Sequence, residues 1–262
     1  MADSAASATA PSPAGRRAQA RGGAVLWTAL RTVLDAAGPR DVLDVGGGTG
    51  GFAVPIAELG HRVTVVDPSP DALAALERRA AEAGVPRAAL RAVQGDLGGL
   101  LEQVEAGSVD LVLCHGVLEM ADDPAVGLAA VAEVLRPGGV VSVLAANRAA
   151  AVVARALSGH FAEARRALTD PRGRFGAQDP LAARFAEDEL AQLLNQVGLT
   201  VETVHGVRVF TDLVPGALVE AEPHGLADLA ALEAAVADRP EFRAVAGRLH
   251  LLARKSGVRG AD

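Results

Sequence analysis

The sequence predicts an α/β fold: a doubly wound, seven-stranded, mostly parallel sheet with helices on both faces and an antiparallel last strand. Three observations predict it. Short β-branched runs alternate with helical spacings from about residue 41 to residue 145. Glycine- or proline-bearing turns punctuate that alternation, at 38–39, 60, 84 and 136–139. Half of the 262 residues are apolar yet only 3% are aromatic, so the layers pack through Ala, Val and Leu.

The elements follow in order. Val25, Leu26, Leu30, Val33 and Leu34 fall on one face of a helix over 21–37, which Gly38-Pro39 ends. Residues 41–45 form a first strand, and 50–59 a helix closed by Gly60. Residues 62–67 make a second strand, and 70–83 a helix stopped by Gly84. Strands at 90–96, 108–115 and 140–145 follow, with a helix at 124–135 before the last of them. Beyond Asn147 the rhythm changes. A long helix spans 149–168, a loop 169–180 and a helix 188–197. The strands at 200–210 and 248–255 close the chain, joined by a crossover at 212–239. One catalytic domain is expected over 20–256, with 148–185 as a lid and acceptor segment. Tails are expected at 1–19, rich in Ala, Ser and Pro, and at 257–262.

The net charge of −7 argues against a general nucleic-acid sleeve, whose affinity comes from phosphate neutralisation. The single cysteine, Cys114, excludes an intramolecular disulfide and a multi-cysteine zinc site, and no metal is expected. No stretch reads as a signal peptide or membrane span, so a cytoplasmic location with no membrane partner is expected.

Chemistry concentrates at the first strand end. Asp44-Val45-Gly46-Gly47-Gly48-Thr49-Gly50 joins strand to helix, and Asp67 ends the next strand. Glycines there permit positive φ and let a ligand approach bare backbone. A carboxylate about twenty residues on can accept both ribose hydroxyls of an adenosine cofactor. Gly46, Gly48 and Gly51 also satisfy the dinucleotide spacing G-x-G-x-x-G, so the glycines alone leave a nicotinamide open. Asp44 argues the other way. A carboxylate at the strand end repels a pyrophosphate and suits a cationic amino-acid ligand.

The segment 42–50, Val-Leu-Asp-Val-Gly-Gly-Gly-Thr-Gly, resembles the first motif of class I S-adenosylmethionine methyltransferases, enzymes of Rossmann-like fold. Asp67 matches their ribose-binding acid, and Gly95-Asp96-Leu97 is similar to the segment beside the adenine. Leu135-Arg136-Pro137-Gly138-Gly139 is similar to the turn before their fifth strand. Further segments resemble the bacterial tRNA 5-carboxymethoxyuridine methyltransferases. These are Ala24-Val25-Leu26-Trp27, His115 to Met120 with Asp123-Pro124, Asn147, Gly206 to Phe210, and Arg248-Leu249-His250. The resemblance implies S-adenosylmethionine as cofactor and methylation of a carboxylate on a modified wobble uridine of tRNA. It implies that Arg21 meets the cofactor carboxylate and His115 the cofactor itself. Asn147 and Arg208 are candidates for the acceptor side. The chain departs from that family at Ala146, where an aromatic is usual. Its scattered Arg165, Arg166, Arg172, Arg174 and Arg184 replace a basic cluster. A small-molecule acceptor therefore stays open beside tRNA. A nicotinamide oxidoreductase is the reading from another class, and the absence of any Tyr removes its usual Tyr-Lys pair.

For several residues a structural role competes with a functional one. Asp96 could cap the next helix, Glu119 could pair with a neighbouring Arg, and Cys114 reads as a small buried apolar residue. Arg208 lies within an apolar strand pattern and so requires a partner. No general base is assigned, because a carboxylate acceptor is already ionised; a phenol or amine acceptor could use His115.

Overall fold

The computed structural model describes residues 23–36 and 38–257. Arg21, the whole N-terminal tail expected over 1–19 and residues 258–262 lie outside the described residues. The elements are α1 (Ala24–Leu34), β1 (Asp41–Val45), α2 (Ala53–Glu58), β2 (Arg62–Asp67), α3 (Pro70–Glu82), β3 (Leu90–Gln94), α4 (Leu100–Gln103), β4 (Val109–His115) and α5 (Pro124–Val134). After them come β5 (Leu135–Ala146), α6 (Arg148–Leu157), α7 (Phe161–Thr169), α8 (Glu187–Gln196), β6 (Leu199–Val207), α9 (Gly216–Ala221), α10 (Gly225–Val236), α11 (Pro240–Arg243) and β7 (Arg248–Lys255).

The seven strands form one sheet in the order β3-β2-β1-β4-β5-β7-β6. Every pairing from β3 to β5 is parallel, and β7 runs antiparallel to both β5 and β6. The order reverses beside β1, so the crevice between the carboxyl ends of β1 and β4 is the topological switch point where such sheets bind ligands.

Both faces are covered, which explains the near-continuous apolar runs of the central strands. Along β1 and β4 the side chains alternate. Val42, Leu111 and Leu113 pack with Leu30, Ile56 and Leu76 on one face. Leu43, Val45, Val112 and Cys114 pack with Leu128, Val131 and Leu194 on the other. Cys114 is fully buried, and burial pushes its thiol up to about 12, so it behaves as an apolar filler.

Three differences from the sequence reading bear on the site. The long helix over 149–168 is two helices, because Gly159 at φ +77° breaks it after Leu157. β5 begins at Leu135, taking the 136–139 turn into the strand. β6 stops at Val207, so Arg208 is not a strand residue; it adopts φ +61°, the only positive φ of a non-glycine residue among the described residues. No described helix is long and apolar enough to cross a membrane.

Candidate functional site

The carboxyl ends of β3, β2, β1 and β4 bring together Gly95 and Asp96, Asp67, Asp44 to Gly48, and His115. The β1 turn is made by backbone that side chains cannot occupy. Gly46 has φ +66°, and a Cβ on it would lie 2.7 Å from Cγ2 of Val117. A Cβ on Gly47 would lie 2.6 Å from the Asp44 carboxylate and 2.9 Å from Val65. The Gly46 N–H donates to the Val66 carbonyl at 2.7 Å, clamping the turn to β2.

Asp67 is buried and already organises this cradle. Its Oδ2 accepts from the Gly48 N–H at 2.9 Å and its Oδ1 from the Ser69 N–H at 2.9 Å. Each oxygen retains a lone pair for a ribose hydroxyl. Asp44 is 3% exposed, and no described residue donates a side-chain hydrogen bond to it. Burial, and secondarily the charge of Asp67, raise its carboxyl to about 7. A buried carboxylate with no cationic partner among the described residues, beside a bare glycine turn, fits the ammonium or sulfonium of S-adenosylmethionine. The acid, the open turn and the ribose acceptor together match that cofactor's charges and hydroxyls. Replacing Asp67 with Ala removes two charge-assisted acceptors and is expected to weaken cofactor binding by about 1.5–3 kcal/mol. Titration calorimetry on a variant with an unchanged circular dichroism spectrum reads this, and an unaltered dissociation constant refutes the assignment.

The remaining candidates divide. Asp96 is exposed and its Oδ1 accepts from the Gly99 N–H at 2.9 Å, bracing the turn before α4, whose N-cap is Gly99 with no side-chain cap. Gly95 binds the Asp67 carbonyl through its N–H at 3.2 Å. Asn147 is buried, but its amide is fully engaged. Oδ1 caps α6 at the Ala149 N–H (3.1 Å), and Nδ2 donates to the carbonyls of Arg243, Ala244 and Ala246. It staples the β5–α6 junction to the start of β7.

Arg208 needs correction. The strand pattern implied a buried partner; instead the side chain ion-pairs with the half-exposed Asp212, while its Nε is buried with no partner. Its left-handed backbone is held by Glu233 of α10, whose carboxylate accepts from the N–H groups of Val209, Phe210 and Thr211 at 2.8–2.9 Å. Arg208, Arg155, Arg184 and Phe175 line a cavity of about 200 Å³ between α6 and the segment after β6. Arg184 is bound to Asp179 by two hydrogen bonds in a buried pair, whereas Arg155 pairs with Glu163 at 3.3 Å and stacks on Phe175.

Glu119 pairs with an Arg, a role open to it from sequence, though the Arg is Arg248 of β7; sequence reasoning gave no role to Ser142, His205 or His250. Glu119 is 1% exposed and its Oε1 accepts from the Ala146 N–H (2.8 Å) and from Arg248 (3.1 Å). That ties the β4 loop to the ends of β5 and β7. The His115 ring meets Phe52 edge-on, and its Nε2 lies 2.8 Å from the Ser142 hydroxyl. Burial, and secondarily the positive charge of Arg248, push this imidazole down to about 3.

A methyltransferase-domain family model matches residues 43–141. The chain is 32% identical over 195 residues to the tRNA 5-carboxymethoxyuridine methyltransferase of Escherichia coli K12, spanning 72% of this chain and 71% of that enzyme. It is 34% identical over 175 residues to a ubiquinone biosynthesis O-methyltransferase of Xanthomonas axonopodis pv. citri, spanning 66% and 68%. A solved S-adenosylmethionine-dependent methyltransferase from Methanosarcina mazei shares the fold, with a TM-score of 0.60 and 18% identity over 87% of this chain and 97% of that one.

Proposed function

From the premise that the chain belongs to the class I S-adenosylmethionine-dependent methyltransferases, we propose that it transfers the methyl group to an oxygen of a carboxylate-bearing acceptor. The observation that carries this reading is the cavity beyond β5. Its Arg208 offers a buried Nε unpartnered among the described residues, and the only ion pair of its Arg155 among the described residues is a part-exposed one with Glu163. Exposed pairs of that kind are weak, so an incoming carboxylate can replace Glu163 or Asp212 at little cost. Residues 148–185 then serve as the acceptor wall, since α6 and Phe175 form one side of the cavity. Methyl transfer to oxygen needs alignment and exclusion of water, and both fall to the walls of the cavity.

Whether the acceptor is a tRNA base or a free acid is approached through both relatives: one acts on 5-carboxymethoxyuridine in tRNA, the other is named an O-methyltransferase of ubiquinone biosynthesis. With a net charge of −7, a small acid or a lightly gripped tRNA is favoured over a dedicated RNA binder. S-adenosylhomocysteine should raise the melting temperature and NAD should not. Arg208→Ala and Arg155→Ala should each raise the acceptor KM by about tenfold or more while leaving cofactor affinity unchanged. Methylation of bulk tRNA that falls steeply with added salt identifies an RNA acceptor. Methylation of small carboxylic acids at a salt-independent rate identifies a free one. Arginine variants with unaltered acceptor KM refute the cavity as the acceptor site.

A further inference from the structure

A line of polar side chains, with Ser142 and His250 at its buried centre, crosses the sheet from the candidate site to solvent. It begins at His115, at the carboxyl end of β4 and two residues before Val117, which packs against Gly46. The Nε2 of His115 lies 2.8 Å from Oγ of Ser142, and that same Oγ lies 2.8 Å from Nε2 of His250. Nδ1 of His250 lies 3.1 Å from Nδ1 of His205, the two ring planes being 20° from parallel. Nε2 of His205 then lies 3.5 Å from Oδ1 of Asp238, a side chain that is 82% exposed. Ser142 and His250 are completely buried. At the inner end, Nδ1 of His115 is buried with no hydrogen-bond partner.

Four contacts in series admit only two arrangements of protons. Ser142 has one hydroxyl hydrogen, so it donates to one imidazole and accepts from the other. If His205 carries its proton on Nε2, facing the Asp238 carboxylate, its Nδ1 accepts from His250 Nδ1–H. His250 Nε2 then accepts from Ser142, and Ser142 accepts from Nε2–H of His115. The inner Nδ1 is left with a lone pair. The reverse arrangement sets a nitrogen lone pair against the Asp238 carboxylate and leaves an orphan N–H at His115 Nδ1. Buried orphan N–H groups are rarer than under-used acceptors. Both ends of the chain therefore select the same polarity.

We propose that Asp238, His205, His250 and Ser142 are positioning residues that fix His115 as its Nε2–H tautomer, making Nδ1 the proton acceptor for a hydroxyl oxygen that receives the methyl group. The inference rests on the methyltransferase reading and narrows it: of the oxygens on a carboxylate-bearing acceptor, the site is equipped for one that still holds a proton. As the O–C bond forms and the C–S bond breaks, the sulfur leaves as a neutral thioether. The acceptor's O–H bond breaks and its proton goes to Nδ1, which releases it to water when the product departs. An oxygen that has gained a methyl group while keeping its proton is an oxonium ion, far more acidic than any imidazolium. A base held neutral by burial and by Arg248 therefore suffices, and it stays unprotonated in the resting enzyme. The groups facing the array are Arg248 at His115, and Asp238 and Arg243 at His205.

Nitrogen-15 spectra of the histidine rings, recorded on the full chain saturated with S-adenosylhomocysteine, read the tautomers directly. The expected result at pH 7 is His115 and His205 protonated at Nε2 and His250 at Nδ1. Asp238→Ala, at an exposed position, should leave the melting temperature within a degree or two and shift His115 toward the Nδ1–H form. Ser142→Ala should abolish the single-tautomer signal of His115. A proton on Nδ1 of His115 in the unaltered protein, or a His115 tautomer indifferent to both substitutions, overturns the proposal. None of these signals depends on acceptor binding, so the array can fail while the arginine cavity stands, and the reverse.

Discussion

Gly46→Val is expected to abolish S-adenosylmethionine binding, with no heat detectable by calorimetry. Two independent costs fall on this one position. The backbone sits at φ +66°, where a β-branched residue is a severe outlier, and the new Cβ would lie 2.7 Å from Cγ2 of Val117. Val117 cannot yield freely, because it packs against the buried core and is held two residues from His115 by the turn at Gly116. The turn must then move, breaking the 2.7 Å bond from Gly46 N–H to Val66 that clamps it to β2. Gly60→Ala provides the matched control. Its φ is +92°, a Cβ there meets nothing within 4 Å, and it lies at the opposite end of the strands. That variant should lose stability by about 1 kcal/mol or more through backbone strain alone and bind cofactor normally. A folded Gly46→Val protein with intact affinity would show that the turn merely connects strand and helix.

The contrast between these two glycines bears on what the sequence made legible. Both end a regular element, and both read as punctuation. Only Gly46 opens a triple-glycine turn directly behind the acid Asp44, with Asp67 about twenty residues on, and that pattern points to a ligand. The sheet was legible for a related reason: strands buried on both faces, such as Val109–His115, are nearly continuous in apolar residues, and the turns between them carry glycine. The helix break at Gly159 was harder to foresee, since Ala- and Arg-rich spacing continues smoothly across it. Arg208 was misplaced because the apolar pattern runs on through Val209 and Phe210; the chain leaves the sheet there only because Glu233, distant in sequence, captures three successive N–H groups. The histidine array had no local signal at all. Its members lie 27, 108 and 45 residues apart along successive contacts, and strand register alone sets His250 opposite both Leu144 and His205.

Cofactor affinity should tighten with pH, by about tenfold per unit below pH 7, and level off above pH 8. The cause is Asp44. Burial, reinforced by the neighbouring charge of Asp67, raises its carboxyl from 3.8 to about 7, so the empty site holds a proton there in mildly acidic solution. A cationic ligand favours the carboxylate, and binding must then expel that proton. Near pH 6 calorimetry in buffers of different ionisation enthalpy should register close to one proton released, falling toward none at pH 8. The stability of the empty protein runs the opposite way. A carboxyl raised above its unfolded value contributes stability that is fully present below 3.8 and lost as pH rises through about 7. The cofactor should accordingly raise the melting temperature more at pH 8 than at pH 6. His115 does not compete for this slope, since its imidazole, at about 3, is neutral throughout the window. Asp44→Asn should flatten the profile and abolish proton release while binding more weakly at pH 8 than the unaltered protein. S-adenosylhomocysteine separates the two cationic groups of the ligand, because it keeps the ammonium and lacks the sulfonium. A slope retained with it places the ammonium against Asp44, and a slope lost places the sulfonium there. A pH-independent affinity for S-adenosylmethionine between pH 5.5 and pH 8 would remove Asp44 from the cofactor site altogether.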